Sequence, residues 1–433
     1  MTRRKLDVGR LLQAAEAASP VRAAEEVARE LALVFGATEV SFLITDASGR
    51  ALVRLAHVPS VGAPGTRDEG DEDNGERRHD EDSATRITLD GGPDEQALRT
   101  QTVQVIAPSP DTPPTGRHRL LAPVTERGES IGLLEMFLPE RPADETVTEI
   151  AQVAHLLAFV VIANRRHTDL YEWGQRTENY SLSAEIQQRL LPSARTCEAA
   201  AFTLAGWLEP AASIGGDTFD YSLARDFLHL SLTDAMGHGV EAALTASMCL
   251  AGLRGGRRSG LSLVEQAAAT NAALCEHPRG TGEDFVTGIV GRLALRTGAL
   301  DLLNAGHVAP YLLRDGALNT LELRVDLALG MFEDVTYGST RVQLRPGDRI
   351  ILLTDGMLDR NDMDSAISRA ILESRELHPR EVVRALADGA LEATGGRLRD
   401  DATVLCLDWH GEHRGSRQVE FGAEPGRASD PLG

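Results

Sequence analysis

Leu230-Ser231-Leu232-Thr233-Asp234-Ala235-Met236-Gly237-His238-Gly239-Val240-Glu241-Ala242-Ala243-Leu244 decides how the chain reads. Its first part alternates like a strand and its last part carries apolar residues at helical spacing. A strand therefore ends at Asp234 and a helix begins after Gly239. A carboxylate at such a strand end sits on the rim of a core. Three other acidic stations share that setting. Gly215-Gly216-Asp217-Thr218-Phe219-Asp220 leads toward the strand, Ile350-Ile351-Leu352-Leu353 runs into Thr354-Asp355-Gly356, and Asp400-Asp401 opens Ala402-Thr403-Val404-Leu405.

Carboxylates without a His or Cys cluster suit hard divalent ions such as Mg²⁺ or Mn²⁺, which prefer oxygen ligands. Two such ions held roughly 3.5–4 Å apart can lower the pKa of a water and clamp the oxygens of an in-line displacement at phosphorus. Gly215, Gly216, Gly237, Gly239 and Gly356 fit a crowded ion site, because glycine lets backbone pass close by or take positive φ.

The ordered motifs resemble the metal-dependent serine/threonine phosphatases of the PPM (PP2C-like) class, in their bacterial SpoIIE/RsbU-like branch. They are Ile186-Gln187 with Leu190-Leu191-Pro192, GGDxFD at 215–220, DAMGHG at 234–239, FVTG at 285–288, NAGH at 304–307, Leu329-Gly330, PGD at 346–348, TDG at 354–356 and DDxT at 400–403. The resemblance implies a β-sandwich with helices on both outer faces and two Mn²⁺ or Mg²⁺ ions in a cleft at one edge. Asp234 would bridge the ions, Ala235 would offer its carbonyl, and Asp217, Asp355 and Asp400 would supply the other carboxylates. Asp401 would replace or support Asp400. Asp220 and Asp359 are possible further ligands or ordinary acids.

Met236 stands where the eukaryotic branch has a histidine, so the proton donor to the leaving group falls by default to metal-bound water. His238 and His307 lie in glycine-flanked turns, where a structural hydrogen bond is expected of each. The implied substrate is a phosphorylated anti-sigma-factor antagonist in a partner-switching pathway of sigma-factor regulation. Two rivals stand beside this reading. Gly215–Phe219 superficially evokes a diguanylate-cyclase signature, but Thr218 replaces its Glu. A pseudophosphatase would bind a phosphoprotein without turnover.

The whole chain narrows the field further. With 433 residues, two domains are expected. A net charge of −21 argues against nucleic acid or an anionic membrane surface. Four scattered cysteines without a Cys-x-x-Cys pair point to the reducing cytoplasm rather than to a disulfide framework. The longest apolar stretch, Leu156–Ala163, is far below the ~20 residues of a membrane span. Lys5 is the sole lysine, which removes enzyme classes that need one inside the fold, such as P-loop and Schiff-base enzymes.

Residues 1–165 read as an α/β unit: a helix over 7–35, a hairpin of 39–45 and 50–57, a helix at 94–100, a second hairpin of 119–125 and 130–138, and a closing helix from 143. This order, with Leu121-Ala122-Pro123-Val124 and Ile131-Gly132-Leu133-Leu134-Glu135, resembles GAF sensor domains, which implies an unidentified small ligand. Within it, 62–84 is expected to be a disordered insertion, because dense charge with Gly and Pro buries too little apolar surface. Residues 166–192 continue at helical spacing and predict one helical linker, a device for passing rotation or rearrangement within a homodimer. Residues 193–410 form the α+β phosphatase domain, and 411–433 are expected to be a disordered tail.

Overall fold

A computed structural model describes residues 6–59, 86–109, 116–176, 181–211, 215–276, 285–358, 363–412 and 421–429. The expected insertion at 62–84 and the candidate Asp359 lie outside these residues. The chain divides into two units, Met1–Asn179 with Val419–Gly433, and Tyr180–Gln418.

The first unit opens with α1 (Val8–Ala17) and α2 (Ala23–Phe35), where one helix was expected. Extended backbone at Ala18 and the ring of Pro20 separate them. There follow β1 (Glu39–Thr45), β2 (Ala51–Val58), β3 (Arg86–Thr88), α3 (Pro93–Thr100), β4 (Gln104–Ile106), β5 (His118–Glu126), β6 (Glu129–Leu138) and α4 (Asp144–Asn164). The strands form one antiparallel sheet in the order β3-β2-β1-β6-β5-β4. Strand alternation assigns its two faces. Phe42 and Ile44 join Leu31, Leu134 and Leu157 in the core under α2 and α4, whereas Leu43 joins Leu52, Leu98 and Leu133 under α3.

Among the described residues, one helix, Asp144–His167, is long and apolar enough to cross a membrane by length and composition, more than the stretch 156–163 alone suggests. In this unit its Ile150, Val153, Leu157 and Val161 are buried in the core.

The expected helical linker is interrupted. Thr168 is extended, at φ −155° and ψ 148°, and its hydroxyl accepts from Leu170 N at 3.1 Å, starting the short α5 (Leu170–Gly174). Tyr171 is buried in the first unit's core, so this part of the expected linker belongs to that unit. A fresh N-cap at Ser181 then opens α6 (Leu182–Leu190), with Ala184 N donating to its hydroxyl. The tail expectation also fails for 421–429. Phe421 packs against His155 with ring centroids 5.0 Å apart, Ala423 is buried, and Arg99 Nη1 donates to Ser429 Oγ.

The second unit continues with β7 (Thr196–Glu198), β8 (Phe202–Glu209), β9 (Asp217–Leu223), β10 (Phe227–Ala235), α7 (Gly239–Arg258), α8 (Leu263–Cys275), β11 (Val286–Ala294), β12 (Ala299–Ala305), β13 (Tyr311–Arg314), β14 (Ala317–Thr320), β15 (Val325–Asp326), β16 (Thr340–Gln343), β17 (Arg349–Leu353), α9 (Met363–Glu373), α10 (Pro379–Ala393) and β18 (Ala402–Trp409). One sheet runs β15-β12-β11-β10-β9 with β16 on β12, and the other runs β14-β13-β17-β18-β8-β7. Phe219, Leu230 and Ile289 of the first meet Phe202, Leu352 and Leu405 of the second in a shared core. Cys249 and Leu253 of α7 pack outside one sheet, and Val382 and Leu386 of α10 outside the other. This is the helix-flanked α+β sandwich expected of the PPM class.

Candidate metal centre

The antiparallel register of β9 and β10 sets Asp217 directly opposite Asp234, with both side chains on the same face. At the facing edge of the second sheet, β17 and β18 bring together the Thr354-Asp355 and Asp400–Thr403 segments. Thr354 N donates to Thr403 O, and Thr403 N donates to Thr354 Oγ1, both at 3.0 Å. The two hydroxyls then converge on one atom. Thr354 Oγ1 and Thr403 Oγ1 donate to Asp217 Oδ2 at 2.7 and 2.6 Å, joining the sheets at the site.

Asp400 and Asp401 are adjacent but differently placed. Asp401 is buried, and both its oxygens are engaged: Oδ1 accepts from Ala211 N at 2.8 Å and Oδ2 from Gln187 Nε2 at 2.6 Å. Both Asp401 oxygens thus tie its segment to α6 and to the end of the β8 loop. Asp400 remains partly exposed beside it. Gln187, fully buried on α6, also donates to Asp217 O at 2.9 Å. The motif reading included Gln187, Thr354 and Thr403 but assigned none of them a task.

The glycines do what the sequence suggested. Gly237 and Gly239 take φ of +101° and +73°. A Cβ on Gly215 would meet Ser183 of α6 at 2.9 Å, and one on Gly356 would overlap Asp401 O.

Electrostatics ties the carboxylates together. Burial, then the charges of Asp355, Asp400 and Asp401, push the Asp234 carboxyl up to about 7. Burial, then Asp234 and Asp401, raise Asp217, while the two threonine hydroxyls counter the rise. Burial likewise raises Asp401. Among the described residues, no group of three Asp, Glu, His or Cys side chains stands close enough to hold an ion as placed. The donor set nevertheless fits a hard divalent cation: it is all oxygen, and its mutual repulsion is what a cation would relieve.

Other candidates sit elsewhere. Asp220 lies three residues from Asp217, an odd step along a strand, and so faces the other way. There it pairs with Arg254 Nη2 at 2.8 Å and Arg257 Nη1 at 3.1 Å from α7, so it is not available as a metal ligand in this arrangement. Ala235 has its methyl in the α7–α8 core, and its N donates to Gly216 O at 3.2 Å.

His307 is the structural histidine expected. Its Nε2 faces Leu353 O at 3.0 Å and must carry the proton, so Nδ1 accepts from Thr287 Oγ1 at 2.8 Å. Burial lowers its pKa to about 4. His238 departs from the expectation: its ring is exposed and makes no capping bond to α7.

The second unit thus combines a helix-flanked α+β sandwich with aspartates brought to the ends of its strands. The family model "Stage II sporulation protein E (SpoIIE)" matches residues 225–410, and the C-terminal unit is a SpoIIE-type, PP2C-like phosphatase domain joined to a separate N-terminal unit. Asp217 lies ahead of the matched segment and is brought to it by strand pairing.

The chain is 23% identical over 294 residues to the phosphoserine phosphatase RsbU of Bacillus subtilis, covering 64% of this chain and 83% of that protein. It is 24% identical over 203 residues to the protein IcfG of Synechocystis, covering 40% of this chain and 32% of that protein. Similar solved structures include the RsbU and RsbW domains of a Mycobacterium tuberculosis protein, with TM-score 0.43, 24% identity, and coverage of 49% of this chain and 61% of that one. Another is the phosphatase domain with a regulatory fragment of SpoIIE from Bacillus subtilis, with TM-score 0.42, 19% identity, and coverage of 48% and 64%. The chain thus spans less than two thirds of either solved chain.

Proposed function

We propose that the C-terminal unit hydrolyses phosphoserine or phosphothreonine in a regulatory phosphoprotein, using two Mn²⁺ or Mg²⁺ ions. The observation that carries this reading is the pairing of Asp217 with Asp234 across β9 and β10, in the electrostatic field of Asp355, Asp400 and Asp401. Asp234, Asp217, Asp355 and Asp400 hold the ions, with the carbonyl of Ala235 beside them. Bound there, the ions supply an activated water and neutralise charge at the phosphoryl oxygens. Thr354 and Thr403 fix the Asp217 carboxylate, and Asp401 fixes the loop that carries Asp400.

A phosphorylated anti-sigma-factor antagonist is the substrate class that RsbU-like relatives suggest, in a cytoplasmic partner-switching pathway. The first unit, a six-stranded antiparallel sheet with helices on both faces, is read as a GAF-like sensor of a small ligand. Its route to the site is α6, because Gln187 on that helix holds both the Asp217 carbonyl and the Asp401 carboxylate. The test is turnover of p-nitrophenyl phosphate and of phosphoserine peptides with Mn²⁺, Mg²⁺ or EDTA. Metal-dependent hydrolysis is expected. Equal rates in chelator overturn the metal reading, and binding without turnover favours a pseudophosphatase.

A further inference from the structure

A cavity of about 590 Å³ opens between β11 and the segment Val325–Thr336. Thr287 in its wall is the β11 partner of Asp234, and the carbonyl of Phe285, also in its wall, accepts from Met236 N in the turn after Asp234 at 2.9 Å. One wall of the cavity is therefore the strand paired with the one that carries Asp234.

Its outer wall is held firmly. Val286 and Leu329 exchange backbone hydrogen bonds at 2.8 and 2.9 Å. Asn271 of α8 accepts from Gly330 N at 2.8 Å and donates to Phe332 O at 2.9 Å. Yet this anchored wall presents apolar side chains to water: Val325, Leu327 and Phe332 are 61%, 49% and 57% exposed. Val240 and Leu244, four apart on α7, are also exposed, as is Met236 in the turn before that helix. Exposed apolar side chains gathered on one anchored segment, Val325–Phe332, are the kind of surface that marks recognition of a macromolecule.

Two acidic residues narrow the occupant. Asp326 is committed to Arg324 Nε and Gly338 N, both at 2.7 Å, whereas Glu333 and Asp334 stand exposed at the rim. The chain's own residues 421–429 are packed in the first unit and do not fill the cavity.

We propose that this pocket is the docking subsite for the polypeptide bearing the phosphorylated residue. An apolar side chain a few residues from the phosphate enters between Leu327, Met331 and Val335, and a basic neighbour meets Asp334. The inference rests on the phosphatase reading and extends it to a substrate class: phosphopeptides with an apolar residue and a basic one at fixed distance from the phosphate.

The experiment uses the full chain with Mn²⁺ and phosphoserine peptides in which Leu is moved through each flanking position, with Arg beside it. p-Nitrophenyl phosphate is measured in parallel. One Leu position should raise kcat/KM about tenfold or more over Ser at that position, the scale of an apolar pocket. Thr336→Trp, which fills the cavity, and Leu327→Asp should each erase that preference and lower the ratio of peptide to p-nitrophenyl phosphate turnover. No favoured position, or a preference that survives both substitutions, overturns the subsite while leaving the phosphatase reading intact. So does conversion of a dimer to monomers by Leu327→Asp without change in peptide preference, which makes the surface a contact between copies. Failure to hydrolyse every substrate overturns both readings together.

Discussion

Gln187 Nε2 donates to Asp401 Oδ2 at 2.6 Å, linking α6 to the loop that carries Asp400. The same nitrogen holds Asp217 O, so one side chain on the first helix of the second unit braces both sides of the centre. Gln187→Ala leaves a buried carboxylate short of a donor, a loss of about 1–3 kcal/mol. We expect the Mn²⁺ concentration needed for half-maximal turnover to rise about tenfold or more. Titration of activity against Mn²⁺ checks this, and an unchanged midpoint with lowered stability would reduce Gln187 to a packing residue.

The two adjacent aspartates should separate cleanly. Asp400→Asn and Asp234→Asn should abolish Mn²⁺-dependent turnover with little loss of stability, because neither is the acceptor that holds Ala211 and Gln187. Asp401→Ala should lower the urea midpoint strongly, since it strips the acceptor from Ala211 N and Gln187 Nε2. Parallel turnover and urea curves decide it. Full activity of Asp400→Asn would exchange the two roles.

Asp220→Asn tests the opposite assignment. Removing the charge leaves Arg254 and Arg257 against a neutral amide, and breaking a buried pair costs about 3–5 kcal/mol as an upper scale. Thermal unfolding should shift down, while turnover of the folded fraction stays within a few-fold of the parent. Loss of activity with stability intact would return Asp220 to the metal site.

The raised Asp234 carboxyl fixes a pH dependence. Unfolded, it loses its proton near the ordinary carboxylate pKa of about 4, whereas folded and metal-free it keeps the proton until about 7. Between those values the folded form binds more protons, so stability falls as pH rises, by at most about 1.4 kcal/mol per pH unit for one proton. In EDTA the melting temperature should therefore drop from pH 5 to pH 7. Mn²⁺ should reverse the drop, and Asp234→Asn should reduce it, leaving the part that Asp217 and Asp401 contribute. A melting temperature that rises across this interval in EDTA would contradict the arrangement.

That Asp217, Asp234, Asp355 and Asp400 lie at strand ends was legible because the alternation of those strands is plain in the sequence. Asp220 was separable by the same rule, since three steps from Asp217 reverse the face, but its partners Arg254 and Arg257 lie on a helix that no local pattern ties to β9. The linker misled for a related reason. Apolar spacing continues through Leu170, Tyr171 and Trp173, but extended backbone at Thr168 breaks the helix, and Tyr171 belongs to a core assembled from distant strands. The docking pocket had no sequence signature, because its walls come from β11 and a loop some forty residues away.

The return of residues 421–429 to the first unit makes the phosphatase unit a guest enclosed by its host's sequence. A protease that cuts once between residues 176 and 181 leaves the fragments associated, because Phe421 and Ala423 remain part of the fold of the other piece. Release requires a second cut between 412 and 421. Shortening the chain from its C-terminal side therefore wounds the N-terminal unit first, at Arg99 and His155, far along the sequence from the deletion.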